Sequence, residues 1–212
     1  MEKIMNDLKT GDIILFDAQN KGPFFWLVDK LIKLFTSSKY THIGMILKDP
    51  IYFNEKLDGL YVWESGWEGI PDPQDDKIKL GVQITPLEEM IDKFPGQIYF
   101  RKIECDLETY SNTFNDINLK KIHDKVHDKP YDLNPLDWIK ALFRSHDKEF
   151  KTNTFWCSAF VGYIYNQLGI IKKDIDWTLL RPSDFSLEDN ENHIELNEKY
   201  KLSNFQIEFN SD

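Results

Sequence analysis

The sequence has little of what marks secreted or membrane proteins. Only two of its 212 residues are cysteine, Cys105 and Cys157. The chain is larger than the small secreted domains that depend on disulfides, so we interpret both as free thiols. Its longest apolar runs fall far short of the roughly 20 residues that cross a bilayer, and the opening MEKIMNDLKTGD lacks the apolar stretch of a signal peptide. We expect no integral membrane segment and a cytoplasmic, reducing location.

Positive charge is also scarce. Lysine and arginine total 26 against 36 aspartates and glutamates, which gives a formal net charge of -10. A nucleic-acid partner requires a basic stripe that displaces counterions from the phosphates. The sequence therefore predicts no nucleic-acid partner.

Metal and nucleotide motifs are missing as well. No CxxC, HExxH, GxxxxGK[ST] or GxGxxG pattern occurs. His123 and His127 stand at i, i+4 spacing on a polar stretch, where a solvated helix face explains them more simply than a bound ion does. We predict neither a metal site nor a cofactor.

What the sequence contains indicates one globular domain over residues 1–212. Hydrophobic residues make up 41 % and aromatic residues 14 % of the chain, and no repeat or low-complexity tract interrupts it. Short apolar or alternating runs bounded by turn residues predict strands. These runs are residues 12–17, 41–47, 60–66, 82–85, 97–103 and, near the end, 204–209.

Helical spacing separates the strands and completes an α+β pattern. Helices are predicted over 23–35, after Thr85 as cap, over 111–127, after Asn134, and from Cys157 to a C-cap at Gly169. Residues 68–80 contain two prolines and an acidic cluster that includes Asp72, Asp75 and Asp76, which predicts an exposed, solvated loop bordering the site.

Cys157 has the position expected of a catalytic thiol. Unpaired backbone N–H groups and the dipole at a helix N-terminus favour a thiolate, and the same N–H groups can receive the oxyanion of a tetrahedral intermediate. A buried structural cysteine is the alternative, because free cysteine is among the most buried residue types.

His42 and Glu64 could complete the chemistry. His42 begins the apolar run HIGMIL, and Glu64 ends the next one, VWESG. An imidazole can take the thiol proton, and a carboxylate can orient that imidazole. Each residue also has an ordinary interpretation, His42 as a hydrogen-bonded packing residue and Glu64 as a solvated strand end.

The combined pattern resembles a known family. GDIILF, THIGMIL, WESG, then a late FWCSAFVGYIYNQLG and RPSDF, are similar to the YiiX-type branch of the NlpC/P60 superfamily of circularly permuted papain-like enzymes. The resemblance covers about residues 10–186. It implies a central antiparallel sheet packed against helices, with the histidine strand before the cysteine helix.

Matched residue by residue, the resemblance implies Cys157 as nucleophile, His42 as base and Glu64 as the polar third member. Tyr131, in PYDL, would line the substrate pocket or assist the oxyanion, although a packed loop tyrosine fits equally well. Asp12 matches an acidic position with either a structural or a functional role.

Two further residues beside the motifs are candidates for substrate binding. Ser158 follows the nucleophile, where a bond to the helix backbone is the simpler role. Trp63 precedes Glu64 and could wall a pocket, although core packing explains it equally well.

These residues predict a thiol hydrolase or acyltransferase that acts on an amide or ester bond of a small-molecule, peptide or lipid substrate. The aromatic run at 24–26 suits a hydrophobic substrate. Two other functions stay open: a catalytically silent module that binds an amino acid, peptide or lipid in the same groove, and a structural interaction protein.

Overall fold

The architecture is a mixed α+β fold around a six-stranded antiparallel sheet. The computed structural model describes residues 2–18, 38–134, 152–189 and 193–210. The strand order in the sheet is β4-β3-β2-β1-β5-β8. Its strands are β1 (Ile13–Ala18), β2 (His42–Lys48), β3 (Leu60–Gly66), β4 (Gly81–Pro86), β5 (Gly96–Arg101) and β8 (Ile207–Asn210).

Five α-helices and a small second sheet complete the described elements. The helices are α1 (Glu2–Asp7), α2 (Leu87–Lys93), α3 (Leu107–Thr113), α4 (Asp116–Val126) and α5 (Cys157–Gln167), and β6 (Ile103–Glu104) pairs with β7 (Lys201–Leu202). Two short 3-10 turns follow α5, at Trp177–Leu179 and Pro182–Phe185. No helix in these ranges is long and apolar enough to cross a membrane.

Alternation along the strands produces an apolar cluster on each face of the sheet. In β1, Ile13 and Leu15 belong to the cluster that includes residues of α5, whereas Ile14 and Phe16 belong to the one that includes residues of α2. Successive side chains of a strand point to opposite faces, so one short apolar run supplies both cores.

The antiparallel sheet and helix α5 agree with the patterns in the sequence. Strand β3 has the predicted bounds, and Cys157 opens α5 as predicted. Gly169 has a φ of 69°, the left-handed conformation that favours glycine after a helix. The helices predicted over 23–35 and after Asn134 lie outside the described residues.

Two predictions about helices are wrong. The polar helix over 111–127 is two helices, because Asn115 caps α4 through a bond from the Asn118 N–H. Thr85 does not cap α2; the N-cap position is Pro86, and the Thr85 side chain bonds to Glu64 instead.

The loop over 68–80 contains a buried carboxylate, although the sequence predicts a solvated one. Asp72 is fully buried and accepts a hydrogen bond from the Lys79 ammonium at 2.9 Å. Lys79 also lies 2.6 Å from Asp128, at the end of α4. A buried carboxylate is stable only when it is paired, so this ion network fixes the loop to the rest of the fold.

Candidate active site

Helix α5 places Cys157 where β3 ends. The side chain of the N-cap, Trp156, makes no capping bond to the first backbone N–H groups of the helix. The chain just before the helix is tied to β3, because the Ser65 hydroxyl donates to the Phe155 carbonyl at 2.7 Å. Cys157 is 5 % exposed. The thiol is thus held at an uncapped helix N-terminus.

The imidazole of His42 and the carboxylate of Glu64 form a close pair. The distance from His42 Nε2 to Glu64 Oε2 is 2.5 Å. The other oxygen, Glu64 Oε1, accepts a hydrogen bond from Thr85 Oγ1 at 2.6 Å. Glu64 is fully buried, so the alternative of a solvated strand end does not apply. This carboxylate can hold the imidazole in one orientation.

The Cys157 thiol acts on the same imidazole. Burial by itself would lower the pKa of His42. The interactions of the ring with Cys157 and Glu64 outweigh that cost and raise the pKa of His42 well above its ordinary value. The structure therefore brings together all three residues that the sequence named as catalytic candidates.

Two residues of the site were missed by sequence reasoning, Gly66 and Glu68. Glu68 Oε1 lies 3.9 Å from His42 Nε2, so a second carboxylate faces the imidazole. A Cβ built on Gly66 would meet His42 Cε1 at 3.0 Å and Glu68 Oε1 at 3.2 Å. Only the register of β2 against β3 creates these contacts, and no motif signals that register.

Tyr131 lies on a segment paired with the one that leads into Cys157. It forms a β-bridge with Phe155, two residues before Cys157, and its N–H donates to the Leu80 carbonyl at 3.1 Å. Burial, reinforced by the negative charges of Cys157 and Asp132, raises the pKa of Tyr131 well above its ordinary value. Its hydroxyl therefore stays protonated.

The structure places the other two substrate-binding candidates in the core. The Ser158 hydroxyl donates to the Leu180 carbonyl at 2.7 Å, and the side chain is 2 % exposed. Trp63 is 1 % exposed and packs edge-on against Phe53 and Phe160. Phe160 belongs to α5, so Trp63 lies on the face of the sheet that α5 covers. Both side chains therefore pack in the core.

Asp12, the other matched residue, has a structural role. Its carboxylate accepts hydrogen bonds from the Lys9 and Ile103 N–H groups, both at 3.0 Å. Burial raises the pKa of Asp12 to about 6, against those two bonds. Asp12 thus joins the start of β1 to β6.

Three groups of side chains in the described residues could hold a metal ion, with ligand atoms within 4.8 Å of one another. They are His42, Glu64 and Glu68; Asp75, His127 and Asp128; and Asp184, Asp189 and His193.

Comparison with known proteins did not identify a family. No protein-family model matches the sequence, and no curated protein matches it. The function has to be argued from the site itself.

Proposed function

We propose that this protein is a cysteine hydrolase or acyltransferase that cleaves an amide or ester bond through a thioester on Cys157. The observation that carries the proposal is the His42–Glu64 pair, whose imidazole also interacts with the Cys157 thiol. A purely structural cysteine needs neither an adjacent imidazole nor a buried carboxylate behind it. The nucleophile, base and orienting group of thiol catalysis require all three.

His42 moves the proton. Because Glu64 occupies Nε2, Nδ1 is the nitrogen left for the thiol. A raised His42 pKa means that the ring readily holds the proton it takes from Cys157, and the sulfur then attacks the carbonyl carbon of the substrate. The tetrahedral intermediate collapses, the C–N or C–O bond breaks, and His42 gives its proton to the leaving amine or alcohol. Water or another acceptor then attacks the thioester and releases the thiol.

The oxyanion of the intermediate has two sets of donors. The backbone N–H groups in the first turn of α5 point toward the region of the thiol, and no side-chain cap competes for them. The Tyr131 hydroxyl, which stays protonated, would be the second donor. Loss of one such donor in other enzymes costs about 100- to 1000-fold in turnover.

The fold supports the same proposal. His42 lies early in the chain, in a strand of the antiparallel sheet, and Cys157 lies late in the chain, at the start of α5. That order is the one expected of the permuted papain-like fold of the YiiX-type branch. We include membership of that branch in the proposal.

Exposed apolar side chains next to the site favour a substrate with an apolar portion. Trp67 is 45 % exposed and precedes Glu68, and Leu133 is 62 % exposed and follows the segment of Tyr131. An acyl chain, a peptide side chain or a lipid tail could lie against these two residues.

Trapping of the thioester tests the proposal. The protein is mixed with p-nitrophenyl esters of short and medium-length acids, quenched in acid and examined by intact-protein mass spectrometry. We expect the mass of one acyl group on the wild type and on Cys105→Ser, and none on Cys157→Ala. Acylation that survives in Cys157→Ala, or no acylation of any variant by any ester, would contradict it.

A further inference from the structure

Two carboxylate oxygens face one nitrogen of the His42 imidazole. His42 Nε2 lies 2.5 Å from Glu64 Oε2 and 3.9 Å from Glu68 Oε1. Glu64 is held from behind by Thr85, and 14 % of the His42 side chain is exposed. Two carboxylates therefore converge on one ring nitrogen, whereas orientation of the ring requires only one.

Gly66 keeps open the space in which these groups meet. A Cβ there would lie 3.0 Å from His42 Cε1, 3.4 Å from His42 Nε2 and 3.2 Å from Glu68 Oε1. The contacts at 3.0 and 3.2 Å are closer than a Cβ atom usually makes. The absence of a side chain at this position lets both groups lie over the backbone of β3.

Gln83 provides an independent sign of an unfilled polar site. It lies directly opposite Glu64 on β4, and side chains of directly paired residues leave the same face of a sheet. The Gln83 side chain is 1 % exposed, and within the described part of the chain neither its Nε2 nor its Oε1 has a hydrogen-bond partner. A buried amide without partners costs about 1–3 kcal/mol, so it points to a ligand or a ligand-bound water.

In the other two clusters, a carboxylate is bonded to an ammonium group or to a backbone N–H. Lys79 Nζ lies 3.2 Å from Asp75 and 2.6 Å from Asp128, so an ammonium group already neutralises that cluster. In the other, Asp184 caps a 3-10 turn by accepting from the Arg181 N–H at 2.9 Å.

We propose that His42, Glu64 and Glu68 bind a divalent transition-metal ion, with Zn²⁺ as the best match, and that the bound ion silences Cys157. One imidazole nitrogen and two carboxylate oxygens suit Zn²⁺, which takes such ligands in tetrahedral geometry. Ligand atoms in that geometry lie about 3.3 Å apart. Ligation would move Glu64 Oε2 away from Nε2 by about 0.8 Å and bring Glu68 Oε1 closer by about 0.6 Å, starting from 2.5 and 3.9 Å.

The consequence for the thiol rests on the proposed function. An ion on Nε2 would lie between the imidazole and Glu64, so this carboxylate would no longer orient the ring toward the Cys157 thiol. The fourth ligand would be a water, for which the unpartnered Gln83 amide is a suitable neighbour.

Binding is measured with Zn²⁺ alone, by competition with a chromophoric chelator, in the Cys157→Ala protein. No thioester can form in this background, so a failure of metal binding and a failure of acyl transfer are separate results. Glu68→Gln is introduced there, with Glu108→Gln, an exposed helix residue, as the matched control. His127→Gln and His193→Gln remove the two competing clusters.

We expect one Zn²⁺ to bind, with affinity at least ten-fold weaker in Glu68→Gln and unchanged in the other three variants. In the protein that retains Cys157, stoichiometric Zn²⁺ should slow alkylation of Cys157 at least ten-fold, and chelator should restore it. The proposal would be overturned if Zn²⁺ did not bind, or if its affinity were unchanged in Glu68→Gln. It would also be overturned if binding were lost only in His127→Gln or His193→Gln, or if bound Zn²⁺ left the rate of Cys157 alkylation unchanged.

Discussion

Replacement of Gly66 with alanine perturbs the site through one methyl group. The added Cβ would lie 3.0 Å from His42 Cε1 and 3.2 Å from Glu68 Oε1, so the imidazole must shift by a few tenths of an ångström. A 1 Å misplacement of a catalytic group costs about 100-fold in rate, so this shift should slow alkylation of Cys157 by about 3- to 10-fold. The effect on stability should stay within about 1 kcal/mol, because the glycine is replaced without a positive φ.

Gly59→Ala is the matched control, since a Cβ there meets no atom within 4 Å but the φ of 106° is unfavourable for alanine. It should cost about 1–2 kcal/mol of stability and leave alkylation unchanged. The assay pairs iodoacetamide kinetics at neutral pH, in a Cys105→Ser background with chelator, with urea unfolding. Wild-type alkylation in Gly66→Ala would refute the close packing of His42 over this glycine.

Three further changes test the surroundings of the site. Thr85→Val leaves a buried oxygen of Glu64 without its hydrogen-bond donor. It should lower the free energy of unfolding by about 1–3 kcal/mol and slow alkylation of Cys157. If both values were unchanged, the Thr85–Glu64 hydrogen bond would be contradicted. Lys79→Met should cost about 2–4 kcal/mol in urea unfolding because buried Asp72 loses its cation, and a neutral result would mean that the loop is not held by this pair. Burial, with the charge of His127, lowers the pKa of His123 to about 4. Its neutral form therefore stabilises the fold above about pH 6.5, and up to about 3 kcal/mol is lost as the pH falls toward 4. His123→Phe should flatten that decline in urea midpoints, and an equally steep decline would exclude His123 as its cause.

Local sequence patterns predicted a strand or helix correctly where its conformation depends mainly on its own residues. The alternation and turn signals around 60–66 predicted β3, and the apolar spacing that ends at Gly169 predicted α5 with Cys157 at its start. Both elements bury a continuous apolar stripe, so tertiary contacts reinforce the local preference.

The errors arose where a distant contact outweighed a local preference. The residues around Thr85 have the pattern of a helix cap, but a bond to the buried Glu64 holds the Thr85 side chain in the sheet. Asp72 has the sequence of a solvated loop, but the pairing with Lys79 allows its burial. The approach of Glu68 to His42 depends on the register of two strands. A single sequence does not reveal that register.

The rate of Cys157 alkylation as a function of pH, with and without His42, tests whether these two residues form a catalytic pair. Wild type, His42→Ala and Glu64→Gln are compared with chelator present. Cys105 is replaced by serine in all three, because this second thiol, whose pKa is raised by burial, would add a slow background. We expect rapid alkylation of the wild type at neutral pH and a profile whose midpoint moves to higher pH in His42→Ala, with a smaller move in Glu64→Gln. A slow reaction that is indifferent to His42 would make Cys157 a core residue and contradict the catalytic assignment.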